Sequence, residues 1–191
     1  MTTGEPFTKR TLVLGCGNVL YGDDGFGPAV ADLLLERYAI PNDAAVYNLG
    51  LSTRAFLFDL LLAPCHPQRI VVVDAMDRGA RRPGEIFEVP LDSLTREKVD
   101  DFSFHQGPSS NMLAELRDLC GVDVVILSCR PRRIPLEMER GLSPPVIEAV
   151  PKTAWLIHER YLGGGDGHPS KPPFGPRGRW RVRSPGLAAR K

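Results

Sequence analysis

Apolar positions along this chain follow two alternating periods. Residues 11–15, 44–49, 69–74 and 122–129 are short aliphatic or β-branched runs bounded by glycine or polar residues, the pattern of buried strands. The run at 69–74 is nearly all valine and isoleucine, as in strands covered on both faces of a parallel sheet. Between the runs, Phe26, Ala29, Val30, Leu33, Leu34 and Arg37 recur at helical spacing, and a second helical pattern covers residues 53–62 and stops at Pro64. Met112, Leu113, Leu116 and Leu119 share one face of a helix starting at Ser109. Ser143-Pro144-Pro145 has the form of a capped helix start, and Pro151 predicts a break or kink before Trp155 and Ile157. Residues 84–89, bracketed by Pro83 and Pro90, fit an edge strand, because proline is tolerated at edges and ends. The expected fold is α/β: a three-layer α/β/α sandwich around a mostly parallel, five-stranded twisted sheet.

Composition narrows the picture. A chain of 191 residues holds one well-buried core, so residues 1–162 are expected to form a single domain. From residue 163 the aliphatic residues give way to Gly, Pro, Lys and Arg, which predicts a disordered basic tail over 163–191. A net charge of +1 gives no broad attraction to nucleic acid or anionic membrane. No apolar stretch is long enough to span a bilayer and the first residues lack a signal-peptide core, so a soluble, cytoplasmic protein is expected. Cys16, Cys65, Cys120 and Cys129 are scattered, with no C-x-x-C pair, and read as reduced thiols.

The densest chemistry follows the first strand, in Gly15-Cys16-Gly17-Asn18-Val19-Leu20-Tyr21-Gly22-Asp23-Asp24-Gly25-Phe26-Gly27-Pro28. Gly15 and Gly17 begin a dinucleotide fingerprint, but Leu20 stands where its third glycine belongs. The acidic pair would also repel a pyrophosphate, at about 4 Å by roughly 1 kcal/mol in water and about 4 kcal/mol at an effective dielectric of 20. A cation suits this loop better than a phosphate. Open α/β sheets place sites at the carboxyl ends of their strands. Asp24 after the first strand, Asp74 closing the third and His105 in a later connection all fall there, with Asp23 as the alternate for Asp24. Two carboxylates and an imidazole make an oxygen and nitrogen donor set suited to nickel, zinc or a similar divalent ion.

Each part has a plainer reading. Asp-Asp-Gly is a common turn, Asp74 could cap a helix, and a loop histidine is often a buried, hydrogen-bonded one. The three in combination point to a site. His66 lies in a turn at the opposite end of the sheet, His158 belongs to the last helical pattern and His168 to the tail. Cys16 reads as a small packed residue rather than a nucleophile, and no G-x-S-x-G elbow is present. Arg130, Arg132 and Arg133 form a basic loop, either solvated or facing an acidic or C-terminal group of a partner.

Leu14-Gly15-Cys16-Gly17-Asn18-Val19-Leu20 with Asp23-Asp24-Gly25-Phe26-Gly27, then Val73-Asp74-Ala75, Phe104-His105-Gln106 and Gly141-Leu142-Ser143-Pro144, resemble the nickel-iron hydrogenase maturation endopeptidases over residues 11–162. The Cys-Gly-Asn, Asp-Asp-Gly-Phe-Gly-Pro and Asp-Phe-Ser-x-His-Gln combination is most similar to the branch associated with deazaflavin-coenzyme-reducing hydrogenases. The resemblance implies a five-stranded α/β sandwich that removes a short C-terminal extension from a hydrogenase large-subunit precursor after nickel insertion. It also implies metal contacts at Asp24, Asp74 and His105, with Asp24 the candidate catalytic carboxylate and nickel carried by the substrate, another divalent metal being the alternative. Many members of the family carry Glu where Asp24 stands, and Gly50-Leu51-Ser52-Thr53-Arg54 departs from the usual Gly-Thr-Ser-Gly type of loop. The competing expectation is a non-catalytic metal-sensing or docking protein for hydrogenase assembly.

Overall fold

The computed structural model describes residues 6–96 and 107–163. The expectations for the tail, and for the loop holding His105, lie outside the described residues. Five strands form one sheet in the order β2-β1-β3-β5-β4: β1 (Thr11–Cys16), β2 (Ala44–Gly50), β3 (Arg69–Ala75), β4 (Ile86–Glu88) and β5 (Asp123–Cys129). β1, β2, β3 and β5 run parallel, while β4 pairs antiparallel with β5 at the edge. The expected sandwich is therefore the observed one.

Alternation along the strands sorts the core into two layers, because successive side chains point to opposite faces. Val13, Val71, Val73, Val125 and Leu127 pack with α1 (Phe26–Arg37) and α5 (Pro144–Tyr161). Leu12, Leu14, Ile70, Val72 and Ile126 pack on the other face with α2 (Thr53–Leu61), α3 (Leu91–Arg96) and α4 (Gly107–Asp118). Leu34, Leu57 and Leu116 are fully buried. Each stabilises the fold by about 1.5–3 kcal/mol relative to an exposed side chain.

α1 sits unusually close to the sheet, and glycine is the reason. A Cβ at Gly27 would overlap the carbonyl oxygens of Cys16 and Val73. Backbone rather than a flexible side chain fills that space, so no rotamer change relieves the clash. Gly27→Ala is expected to destabilise the fold by about 1–3 kcal/mol or more. The reading is a lower urea midpoint at unchanged slope.

Two expectations need correction, and one helix was not expected. α5 is one helix of 18 residues and continues through Pro151. Proline removes the bond to the carbonyl of Ile147, but Ile147 is on the exposed side, where water can satisfy that group. Val146, Ala149, Val150, Ala154 and Ile157 are buried on the other side, and their packing outweighs the missing bond. Leu119 lies beyond the end of α4 and is 80% exposed, not on its buried face. The polar stretch after Pro90 contains a helix that its composition hid: Leu91 of α3 is buried in the core, while Asp92 is exposed.

Candidate active site at the carboxyl edge of the sheet

β1 ends at Cys16, and the chain reverses sharply at Gly17, whose φ of 122° lies in the region that favours glycine. A Cβ there would strike the carbonyl oxygen of Asp24. The loop thus folds back so that residue 24 sits directly over the end of β1. Asn18 fixes this return twice: its N–H donates to Asp24 Oδ2 at 2.8 Å, and its own Oδ1 accepts from the Leu20 N–H at 3.0 Å. A short 3₁₀ turn, Gly22–Gly25, then carries the acidic pair into α1.

The two acids of that turn part company. Asp23 is buried and its carboxylate is taken up by distant chain: it accepts from the backbone N–H of Ser143 at 2.6 Å, the Ser143 hydroxyl at 2.8 Å, and the N–H groups of Arg132 and Arg133 at 2.8 and 3.4 Å. Asp23 ties the segment after β5, and the start of α5, to the loop after β1. A second tie runs beside it: Gly22 N–H donates to Glu139 O at 2.7 Å and Glu139 N–H to Leu20 O at 2.9 Å. The basic loop is partly absorbed by intramolecular pairs, Arg130 with Asp77 and Arg133 with Glu139.

Asp24 instead faces Asp74 on the neighbouring strand. Both are buried, at 2% and 7% exposure. The Asp74 carboxyl is pushed well above the usual carboxylate range, first by burial and then by the negative charge of Asp24. The Ala75 N–H, donating to Asp74 Oδ1 at 2.8 Å, opposes the shift. A cation between the two carboxylates would relieve both penalties, so this donor set fits a divalent ion.

Register extends the site across the sheet. Asp74, Ser128 and Phe87 stand side by side on β3, β5 and β4, with Cys16 of β1 one residue past the last β1–β3 pair, on the face covered by α2, α3 and α4. The Ser128 hydroxyl is fully buried and has no hydrogen-bond partner among the described residues. Burial and the charge of Asp74 push the Cys16 thiol up, against a hydrogen bond with Thr53, so it stays protonated and packed, as the sequence reading favoured. Thr53 lies in the segment whose sequence departs from the usual loop, and the Gly50 carbonyl just before it accepts both the Thr53 hydroxyl and the Gly17 N–H, joining that segment to the acidic loop.

In the sequence Asn18 stood out only as part of the Cys-Gly-Asn resemblance and Thr53 only in the loop that departs from it, and Ser128 gave no signal beyond its place near a strand end. His105 lies outside the described residues; α4 begins two positions later, at Gly107. Among the described residues, no three His, Cys, Asp or Glu side chains come together as a group able to hold an ion. His66 sits before β3, away from the carboxylates, and His158 is buried in α5 with its ring centroid 5.0 Å from that of Tyr38.

A sequence profile of the hydrogenase maturation proteases, the HycI group, matches residues 28–160. The chain belongs to the hydrogenase maturation protease family. It is 34% identical over 150 residues to a Methanocaldococcus jannaschii protein assigned as a hydrogenase maturation protease, covering 78% of this chain and 94% of that one. The similarity to coenzyme F420 hydrogenase subunit delta of Methanothermobacter thermautotrophicus is 32% over 158 residues, 80% of this chain and 94% of the relative. Among solved structures, the NiFe hydrogenase maturation protease HycI of Thermococcus kodakarensis superposes with a TM-score of 0.64 at 27% identity, covering 81% of this chain and 93% of that one. The family match includes the positions of Asp74 and His105 and begins just after the Asp24 turn.

Proposed function

We propose that this maturation protease is an aspartyl-type endopeptidase that removes a C-terminal extension from a nickel-loaded hydrogenase large-subunit precursor. Asp24, Asp74 and His105 gather around nickel that arrives as part of the substrate. The observation that carries this reading is the Asp24–Asp74 pair at the carboxyl edge of the sheet, two buried acids whose mutual repulsion a cation relieves.

The protein's own groups do the positioning. The Asn18 and Ala75 N–H groups orient one oxygen of each carboxylate. Asp24 and Asp74 would hold nickel arriving with the precursor against the sheet edge, where it would supply Lewis-acid polarisation of the scissile carbonyl or a water. Asp24 is assigned the further task of orienting the attacking water. Nickel then serves as the signal that the precursor is ready. No described helix is long and apolar enough to cross a membrane, and all four cysteines are free, in keeping with work in the cytoplasm.

Incubating the purified chain with nickel-loaded and metal-free precursor, followed by intact-mass measurement, tests this. The expected result is loss of a C-terminal peptide from the loaded form alone. Binding with no change of mass would instead establish a docking or metal-sensing role.

A further inference from the structure

The chain between β5 and α5 exposes a leucine and a methionine from a backbone that is firmly held. Arg132, Arg133 and Ser143 fasten its two ends to Asp23, and Glu139 pairs with Tyr21 in a parallel bridge. Pro135 rests on the same glycine to which that bridge is bonded. A Cβ at Gly22 would lie 3.1 Å from Pro135 Cδ and 3.8 Å from the Glu139 carbonyl oxygen, which accepts the Gly22 N–H. Pro135 and Glu139 therefore converge on one residue, and the three residues between them, Leu136, Glu137 and Met138, stand out from it as a knob. Leu136 is 98% exposed and Met138 72%.

A single exposed apolar side chain is ordinary on any surface. These two have apolar company. Val19, also exposed, lies in the turn that the Tyr21 N–H closes on the Asn18 carbonyl at 3.0 Å. Val19 and Met138 immediately precede the two residues joined by the Leu20–Glu139 hydrogen bond, so turn and knob adjoin. Leu142 continues the group: a Cβ at Gly25 would lie 3.2 Å from Val19 Cα and 3.7 Å from Leu142 Cδ2. The patch borders the acidic pair, because Asn18, next to Val19, holds Asp24 through its N–H.

A projecting apolar knob suits a concave apolar pocket, and methionine adapts to the shape of what it enters. From this placement we infer that Leu136 and Met138 are a docking anchor, which seats in an apolar pocket on the folded body of the large-subunit precursor while Asp24 and Asp74 receive its metal. The anchor rests on the endopeptidase reading above and adds a second contact to it. Continuity with the acidic pair favours the precursor over a second copy of this chain, since self-association here would cover the edge at which a precursor must enter. Nickel reports that a precursor is loaded; the anchor would select which precursor is held.

Binding of nickel-loaded precursor, followed by biolayer interferometry, tests this with a Leu136→Ser/Met138→Ser double variant. Both side chains are exposed, so the fold should survive, and a circular-dichroism melt checks it. Leu136→Met keeps the apolar bulk, and Leu119→Ser changes an exposed leucine beyond α4, before β5. The expected result is a Kd and a KM raised about tenfold or more in the double variant, with kcat within about twofold, from the apolar area no longer buried. Leu136→Met and Leu119→Ser should match wild type. Unchanged binding by the double variant, or an equal loss in Leu119→Ser, would overturn the anchor. So would sedimentation showing a wild-type dimer that the double variant breaks with precursor binding unchanged. Binding is read without cleavage: weaker binding by the double variant supports the anchor even if wild type cuts nothing, while a chain that cuts but binds equally in both forms loses the anchor alone. Absence of binding by wild type would remove both.

Discussion

Asp74→Asn is expected to end processing and, at the same time, to make the free protein more stable at neutral pH. The loss of activity follows from removing one of the two carboxylates proposed to hold the substrate's metal, a change expected to lower kcat/KM by at least about 100-fold, since even outer partners of metal ligands account for 10–100-fold. Asp24→Asn should lose processing to a similar degree. The stability gain follows from the sign of the Asp74 shift. Burial and Asp24 raise its pKa in the folded state above the unfolded value, so across that window the folded chain binds more protons and stability falls as pH rises. Above the window the ionised carboxylate is a net burden on the free protein; below the unfolded value of 3.8 it is protonated in both states and the burden vanishes. Asparagine keeps an oxygen for the Ala75 N–H and carries no charge. Melting temperatures of wild type and variant should therefore differ at pH 7, by about 2–4 °C for each 1 kcal/mol, and converge near pH 3–4. A variant that melts lower than wild type at pH 7, or that still processes precursor fully, would remove Asp74 from its assigned role.

That opposition between stability and activity was only partly legible in the sequence. The valine-rich run of β3 announces a strand buried on both faces, and the rule that open α/β sheets carry sites at the carboxyl ends of their strands then places Asp74 and Asp24 at one edge. Their proximity, and with it the raised pKa of Asp74, was foreseeable from that placement. The roles of Asp23 and Asp24 were not separable, because adjacent carboxylates in a 3₁₀ turn point different ways and the partners of Asp23 lie 109 to 120 positions downstream. Ser128 gave no signal either, since a hydroxyl without a partner among the described residues is defined by what surrounds it in the fold. At Pro151 the local rule was right about the lost hydrogen bond, and the buried side of α5 overrode it.

The neighbouring acid should behave in the opposite way: Asp23→Ala is expected to lower stability by about 3–5 kcal/mol, a range set by the 1.5–3 kcal/mol typical of each hydrogen bond to a charged group. Three donors within 2.8 Å, from Ser143 twice and Arg132 once, lose their acceptor in a buried site that a methyl group cannot replace. Asp23→Asn recovers only part of this, because its amide nitrogen would present a donor to donors. The consequence for activity is indirect. Without Asp23, only the Glu139 backbone tie still joins residues 132–143 to the Gly22–Gly25 turn, and Asp24, carried by that turn, is held less firmly opposite Asp74. Processing by Asp23→Ala should therefore fall at temperatures well below its melting point, and added precursor should not restore it if the geometry of the pair is lost rather than its affinity. Urea titration of wild type and Asp23→Ala beside Asp24→Ala separates the two acids: the larger fall in midpoint belongs to Asp23 if it is the structural tie, and equal falls would show that the division of labour in the turn is wrong.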